Sequence, residues 1–123
     1  MIAEFLATEA GTTEEDNFLA TGVRSDNPPH YLLFSRWRPI GHDEDWGIEL
    51  EFDDQINSAY AKIKRCSLMR DRLHVELIEP IDRMKRFTAF DVKLQISDAE
   101  WSQLCDGLRY VFTGHEDSLN IGS

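Results

Sequence analysis

Three short runs in this chain alternate apolar and polar residues with a period of two, and that pattern restricts the fold more than any other feature of the sequence. Ile48, Leu50 and Phe52 alternate with Glu49, Glu51 and Asp53. Leu73, Val75 and Leu77 alternate with Arg72, His74 and Glu76, and Phe90, Val92, Leu94 and Ile96 with Asp91, Lys93 and Gln95. Successive side chains of a strand point to opposite faces, so each run predicts a strand with one face on a core and one in water. His30–Trp37 differs, because Tyr31, Leu33 and Trp37 on one parity are matched by Leu32 and Phe34 on the other. An apolar residue on both parities predicts a central strand covered on both faces.

Between Ser58 and Leu68 the apolar positions Ile63, Cys66 and Leu68 slip by one residue, which predicts a bulge near Lys64-Arg65. Met69–Arg72 then turns the chain into the next strand, and Pro80, which has no N–H to give a ladder, marks its end. Asp82–Lys85 reads as a charged connection. Ser97-Asp98-Ala99-Glu100 is a capping box, and Trp101, Leu104, Cys105, Leu108, Val111 and Phe112 follow it at the spacing of one buried helical stripe. Gly114 is the natural stop for that helix, and Gly107 inside it points to a close helix–sheet approach. In the N-terminal third, Ile2–Thr8 and Asn17–Arg24 read as strands joined by a turn over Gly11–Asp16, with Ser25–Pro29 as a loop. The tail His115–Ser123 has little apolar content and reads as frayed. The expected fold is a single α+β domain over residues 1–123, mainly antiparallel β-sheet, with one C-terminal amphipathic α-helix packed on it.

Charge narrows the function. The chain carries 23 acidic and 13 basic side chains, a net charge of −10. Residues 1–60 hold 13 acids and 3 bases, whereas residues 61–93 hold 5 acids and 9 bases. The sharpest contrast lies between the seven carboxylates of Gly41–Asp54 and the bases Lys62, Lys64, Arg65, Arg70 and Arg72. Neighbouring strands of opposite sign can pair across a sheet. A surface of this sign repels phosphates, so nucleic acid is not the expected partner, and a basic protein is. No apolar run approaches the roughly 20 residues of a membrane-spanning helix, and the first residues lack the pattern of a secretory signal. The expectation is a cytoplasmic protein with no membrane partner. Cys66 and Cys105 lie in a strand-like segment and on the helix stripe, which suits buried free thiols rather than a CxxC metal pair.

No motif of catalysis emerges. His30, His42, His74 and His115 form no HxH or HExxH pair, and no GxGxxG, GxxxxGK[ST] or GxSxG is present. His42–Asp45 offers oxygen ligands without the spacing of a calcium loop. Glu49 and Glu51 share a strand face and read as a solvated or salt-bridged surface rather than a catalytic pair. No catalytic residue, metal or cofactor is expected. Trp37 and Trp46 flank the acidic turn, and Tyr60 follows it. An aromatic ring set among carboxylates has the makeup of a hot spot for a basic protein surface, the ring supplying desolvated area and the acids steering encounter. The candidate contact residues are Trp37, Asp43, Glu44, Asp45, Trp46, Asp53 and Asp54.

The order of elements resembles a known family. Tyr31–Arg36, Trp46–Leu50, Tyr60-Ala61-Lys62-Ile63, Ser67-Leu68, Arg70–Leu73, Phe90–Leu94 and the Trp101–Phe112 helix together look like the immunity protein 10 family of bacterial polymorphic toxin systems, over roughly residues 30–112. Tyr60-Ala61 departs from that pattern, which has a glycine-rich turn there. The resemblance implies a non-enzymatic protein that binds and blocks a cognate toxin domain. Two other classes fit the same residues: a small enzyme or ligand-binding module with a pocket assembled from distant positions, and a structural subunit that oligomerises through a sheet edge. Oligomeric state is not legible in the sequence.

Overall fold

The computed structural model describes residues 1–43, 45–81 and 87–122. Ten strands and one helix follow one another along the chain: β1 (Ile2–Ala7), β2 (Glu9–Glu14), β3 (Phe18–Asp26), β4 (Pro29–Trp37), β5 (Glu49–Phe52), β6 (Asp54–Tyr60), β7 (Ile63–Met69), β8 (Arg72–Leu77), β9 (Ala89–Leu94), α1 (Asp98–Val111) and β10 (Leu119–Ile121). The expected α+β class holds, with the strands divided between two five-stranded sheets. One has the order β1-β9-β8-β7-β10 and the other β2-β3-β4-β5-β6. Among the described residues only β1 with β9 and β10 with β7 pair in parallel. The Arg70-Asp71 hairpin joins β7 to β8, and a register shift between Ile63 and Arg65 is the predicted bulge.

One core is shared by both sheets and the helix. Phe52 of β5 meets Phe90 of β9 with ring centroids 5.0 Å apart, and Phe34 of β4 meets Phe112 at 6.2 Å. Leu104, Leu108, Val111 and Phe112 are fully buried from the helix side, and Cys66 and Cys105 are buried free thiols. The capping box forms: Glu100 N–H donates to Ser97 Oγ at 3.1 Å and Ser97 N–H to Glu100 Oε1 at 3.0 Å. The other Glu100 oxygen accepts from Ala10 N–H at 2.9 Å, so the helix start also satisfies a donor of the edge strand β2. Gly107 lies against β3, where a Cβ would come within 2.4 Å of Thr21 Oγ1.

Four expectations are corrected. Gly11–Asp16 is not a turn, because Gly11 pairs with Gly22 and β2 runs to Glu14, its edge held by the helix. Ser25–Pro29 is not a loop either, since Ser25 and Asp26 pair with His30 and Pro29 and leave only Asn27-Pro28 to turn. The tail is not frayed: Leu119, Asn120 and Ile121 pair with Cys66, Ser67 and Leu68, adding a strand to an edge whose ladder was open. The acidic and basic segments do not face each other across a ladder, because β5 and β7 belong to different sheets. Three of the five bases find acids elsewhere: Arg72 pairs with Asp91 of β9 at 2.5 and 2.8 Å, Arg70 with Asp98, and Lys62 with Glu79. Asp82–Lys85 lies outside the described residues.

Candidate functional site

The strand β4 is central, as its composition predicts, but only one of its faces is covered. Leu32, Phe34 and Arg36 point into the core and are buried, whereas Tyr31, Leu33, Ser35 and Trp37 on the other parity are half-buried, with no layer over them among the described residues. Apolar content on both parities has two outcomes, burial under a second layer or a surface kept for a partner, and alternation does not distinguish them.

Register determines what stands beside these residues. Across the outer face, Ala20, Ser35, Glu49 and Tyr60 form one row on β3, β4, β5 and β6, while Gly22, Leu33, Glu51 and Ser58 form the next. Phe18 pairs with Trp37 at the end of the first row. The small residues Ala20, Gly22 and Ser35 make a low floor, and at Gly22 nothing larger fits, since a Cβ would meet the Leu32 carbonyl oxygen at 2.3 Å. The result is a groove of about 330 Å³ lined by Phe18, Leu33, Ser35, Trp37, Trp46, Glu49, Glu51 and Tyr60. It continues past Ala20 and Leu33 into a second trough of about 500 Å³ bounded by Glu9, Arg24 and Tyr31.

Trp46 is brought to the rim by its neighbour. Asp45 is drawn inward, its side chain only 4 % exposed, and binds Arg36 through two contacts, Nε–Oδ1 at 2.8 Å and Nη2–Oδ2 at 3.1 Å. It also accepts from the N–H groups of Gly41 and Gly47. Arg36 Nη1 in turn donates to the carbonyls of Val111 and Thr113 at the helix C-terminus, where a cation is favoured. The Arg36 guanidinium holds the Asp45 carboxyl down at about 2, with the two glycine amides adding to the effect. With Asp45 facing in, and Gly47 at φ +94° turning the chain into β5, the next side chain faces out. Trp46 is 67 % exposed and meets Tyr60 edge to face, 5.7 Å between centroids. Trp37 packs against the His42 ring at 5.6 Å. Behind Trp46 lies a further cleft of about 540 Å³ whose walls include Ile63, Ile78, Phe112 and His115.

The carboxylates divide into those already engaged and those left over. Asp53 adopts φ +62°, a region that Asp visits more readily than most residues, and accepts from Tyr31 N–H at 2.9 Å and pairs with His30 Nδ1 at 2.8 Å. Asp54 accepts from Ile56 N–H at 3.2 Å, and Asp43 is exposed on the loop. Glu51 accepts from the Tyr31 hydroxyl, whose own ionisation is pushed up by burial and by that bond. Glu49 has no hydrogen-bond or ion-pair partner among the described residues. Burial, and then the charge of Glu51, raises its carboxyl above the ordinary value.

Of the residues singled out from the sequence, Trp37 and Trp46 border the groove, while Asp43 and Asp54 lie outside its lining and Asp45 and Asp53 are bound within the protein. Glu44 lies outside the described residues. Phe18, Leu33 and Glu49 enter the site only through the strand register. Among the described residues no group of three or more His, Cys, Asp or Glu is placed to hold a metal ion, and no helix is long and apolar enough to cross a membrane. Comparison with protein-family models, with curated proteins and with solved structures finds no match to the chain.

Proposed function

We propose that this chain is an immunity protein, a non-catalytic binder that neutralises a cognate bacterial toxin domain in the cytoplasm by covering its active surface. The observation that carries the reading is the outer face of β3, β4 and β5, uncovered among the described residues, where exposed and half-buried aromatic rings line one groove with a half-buried carboxylate that has no partner among those residues. A face of that composition gains most from a basic, partly apolar protein surface: the rings supply desolvated contact area, and the carboxylates speed encounter and set orientation. The resemblance read from the sequence over residues 30–112 suggests the immunity protein 10 family and is part of the same proposal.

The proposed contact residues are Phe18, Trp37, Trp46, Glu49 and Tyr60, with Asp43 and Asp54 as outlying charges that steer. Asp45 and Asp53 are left out of this set, since their oxygens are already engaged by other groups of the chain, Asp45 by buried Arg36 and Asp53 by Tyr31 and His30 at the surface. Binding in this mode needs no chemistry from the chain, only a rigid surface, which the Arg36–Asp45 pair provides beneath Trp46. The test is to express the gene that neighbours this chain's own, alone and together with the chain. Rescue of growth by the wild-type chain, together with a complex of defined stoichiometry from the two purified proteins, supports the proposal. Unrelieved toxicity and no complex at micromolar concentrations overturn it.

A further inference from the structure

Within the outer-face groove one position is both negatively charged and enclosed by rings. Glu49 sits on β5 between Ser35 of β4 and Tyr60 of β6. The Trp46–Tyr60 pair bounds the groove on one side, and Trp37 with Phe18 closes its end. Burying a carboxylate without a partner is unfavourable, and a second carboxylate two residues along the same strand face makes it more so. Among the described residues, the other carboxylates lining these two troughs each accept from a donor: Glu51 from the Tyr31 hydroxyl, Glu9 from the Arg24 guanidinium and Glu100 from the Ala10 and Ser97 amides. Glu49 therefore presents, among the described residues, a carboxylate without a partner in a groove lined by aromatic rings.

We propose that this slot receives one arginine side chain of the partner protein, its guanidinium paired with Glu49 and laid against the rings of Trp37, Trp46 or Tyr60. The proposal rests on the binding role set out above and specifies its chemistry. Charge complementarity selects a cation, and the rings select its kind. A guanidinium offers flat faces to aromatic rings and N–H edges to a carboxylate at the same time, whereas an ammonium is compact and strongly hydrated. The Ser35 hydroxyl on the floor can accept one of the remaining guanidinium N–H groups. Trp46 is the ring best placed to move, because it stands on a loop and is mostly exposed.

The experiment uses the purified chain alone. N-acetyl-arginine amide, N-acetyl-citrulline amide, which is neutral, N-acetyl-lysine amide and N-acetyl-phenylalanine amide are each titrated while the three indole N–H signals are followed by NMR. The proposal predicts saturable shifts of the Trp46 and Trp37 signals with the arginine compound, in the millimolar range suited to one side chain. The citrulline compound should bind at least about tenfold more weakly, and Glu49→Gln should abolish the difference. Glu49→Gln keeps its shape and breaks no bond within the protein, so its melting temperature should match or exceed that of the wild type. Equal binding of the arginine and citrulline compounds, or stronger binding of the lysine or phenylalanine compound, overturns the proposal. In complex with the toxin domain, Glu49→Gln should weaken affinity at least about tenfold. If Trp46→Ala weakens that complex and Glu49→Gln does not, the arginine slot fails and the binding role stands. If the arginine compound binds as predicted but no toxin complex forms, the slot stands and the immunity role fails.

Discussion

The Arg36 guanidinium joins the acidic loop to the end of the helix: Asp45 binds it at 2.8 and 3.1 Å on one side, and the Val111 and Thr113 carbonyls accept from it at 2.8 and 2.7 Å on the other. Both charges are almost wholly buried, with side chains 6 % and 4 % exposed. Each satisfies the other and several backbone groups besides. The pair anchors the loop that carries Trp46, so core order and surface presentation depend on the same contact.

Removing one partner strands the other. Asp45→Asn keeps the shape but leaves the Arg36 charge buried without its counter-ion, and breaking such a pair costs about 3–5 kcal/mol. Chemical denaturation should show a loss of that size. Trp46 fluorescence should also report a changed environment in the folded variant, because the loop loses its anchor. A midpoint within 0.2 M urea of the wild type (roughly 0.5 kcal/mol at a usual slope) contradicts the structural role of the pair.

Acid should dismantle the same contact. The Asp45 carboxyl titrates at about 2 in the folded chain against an ordinary 3.8. A depressed carboxylate contributes stability that is fully present above its unfolded value and is lost as pH falls through the folded one. The difference amounts to about 2 kcal/mol, lost between about pH 4 and pH 2. Denaturation midpoints measured from pH 5 to pH 2.5 should fall more steeply for the wild type than for Asp45→Asn. Parallel curves would show that Asp45 titrates normally.

Gly107→Ala sets helix propensity against packing. Alanine in place of glycine gains about 1 kcal/mol in a free helix, but here the new methyl meets Thr21 Oγ1 at 2.4 Å, Thr21 Cβ at 2.6 Å and Thr12 Oγ1 at 2.7 Å. Those atoms belong to short side chains on β2 and β3 that cannot swing far. Overpacking of this kind costs typically about 1–3 kcal/mol, so the net effect should be destabilising. A raised melting temperature would mean that α1 sits further from β3.

Ala61→Gly should act in the opposite direction. Ala61 holds φ +58°, where its Cβ crowds the following carbonyl at a cost of about 1–2 kcal/mol. Glycine removes that strain and gives back somewhat less through the entropy of the unfolded chain. The denaturation midpoint should rise by the equivalent of up to about 1 kcal/mol. A fall would place Ala61 in an ordinary conformation.

What was legible in the sequence followed local rules. The capping box at Ser97, the stripe from Leu104 to Phe112, the Arg70-Asp71 hairpin and the bulge beside Lys64 all depend on residues close in the chain, and each is where the pattern predicts it. Pairings between distant segments were not legible. Leu119–Ile121 reads as a tail because three residues carry no periodicity, and only the open edge of β7 makes them a strand. Gly11–Asp16 reads as a turn because its glycine is visible and the Ala10–Glu100 bond is not.

The site shows the same division. Trp46 and the acidic residues around it stand out from composition, but composition cannot tell an engaged carboxylate from a spare one: Asp45 turns inward onto Arg36, and Asp53, at the surface, is held by Tyr31 and His30. From the sequence Glu49 reads, with Glu51, as a solvated or salt-bridged face, and only the register places it beside Tyr60 and Ser35, within the same groove as Trp37.

The central claim is that the outer face around Trp46 binds the toxin domain, and the most direct measurement is the Kd of the wild-type chain and of Trp46→Ala for that domain, with melting temperatures taken on the same samples. Because the indole is 67 % exposed, its removal should leave the melting temperature within about 2 °C. A central aromatic hot spot contributes about 2 kcal/mol or more, so the account predicts a Kd raised at least about 30-fold, chiefly through faster dissociation. A folded Trp46→Ala chain that binds the toxin domain with wild-type affinity would contradict it.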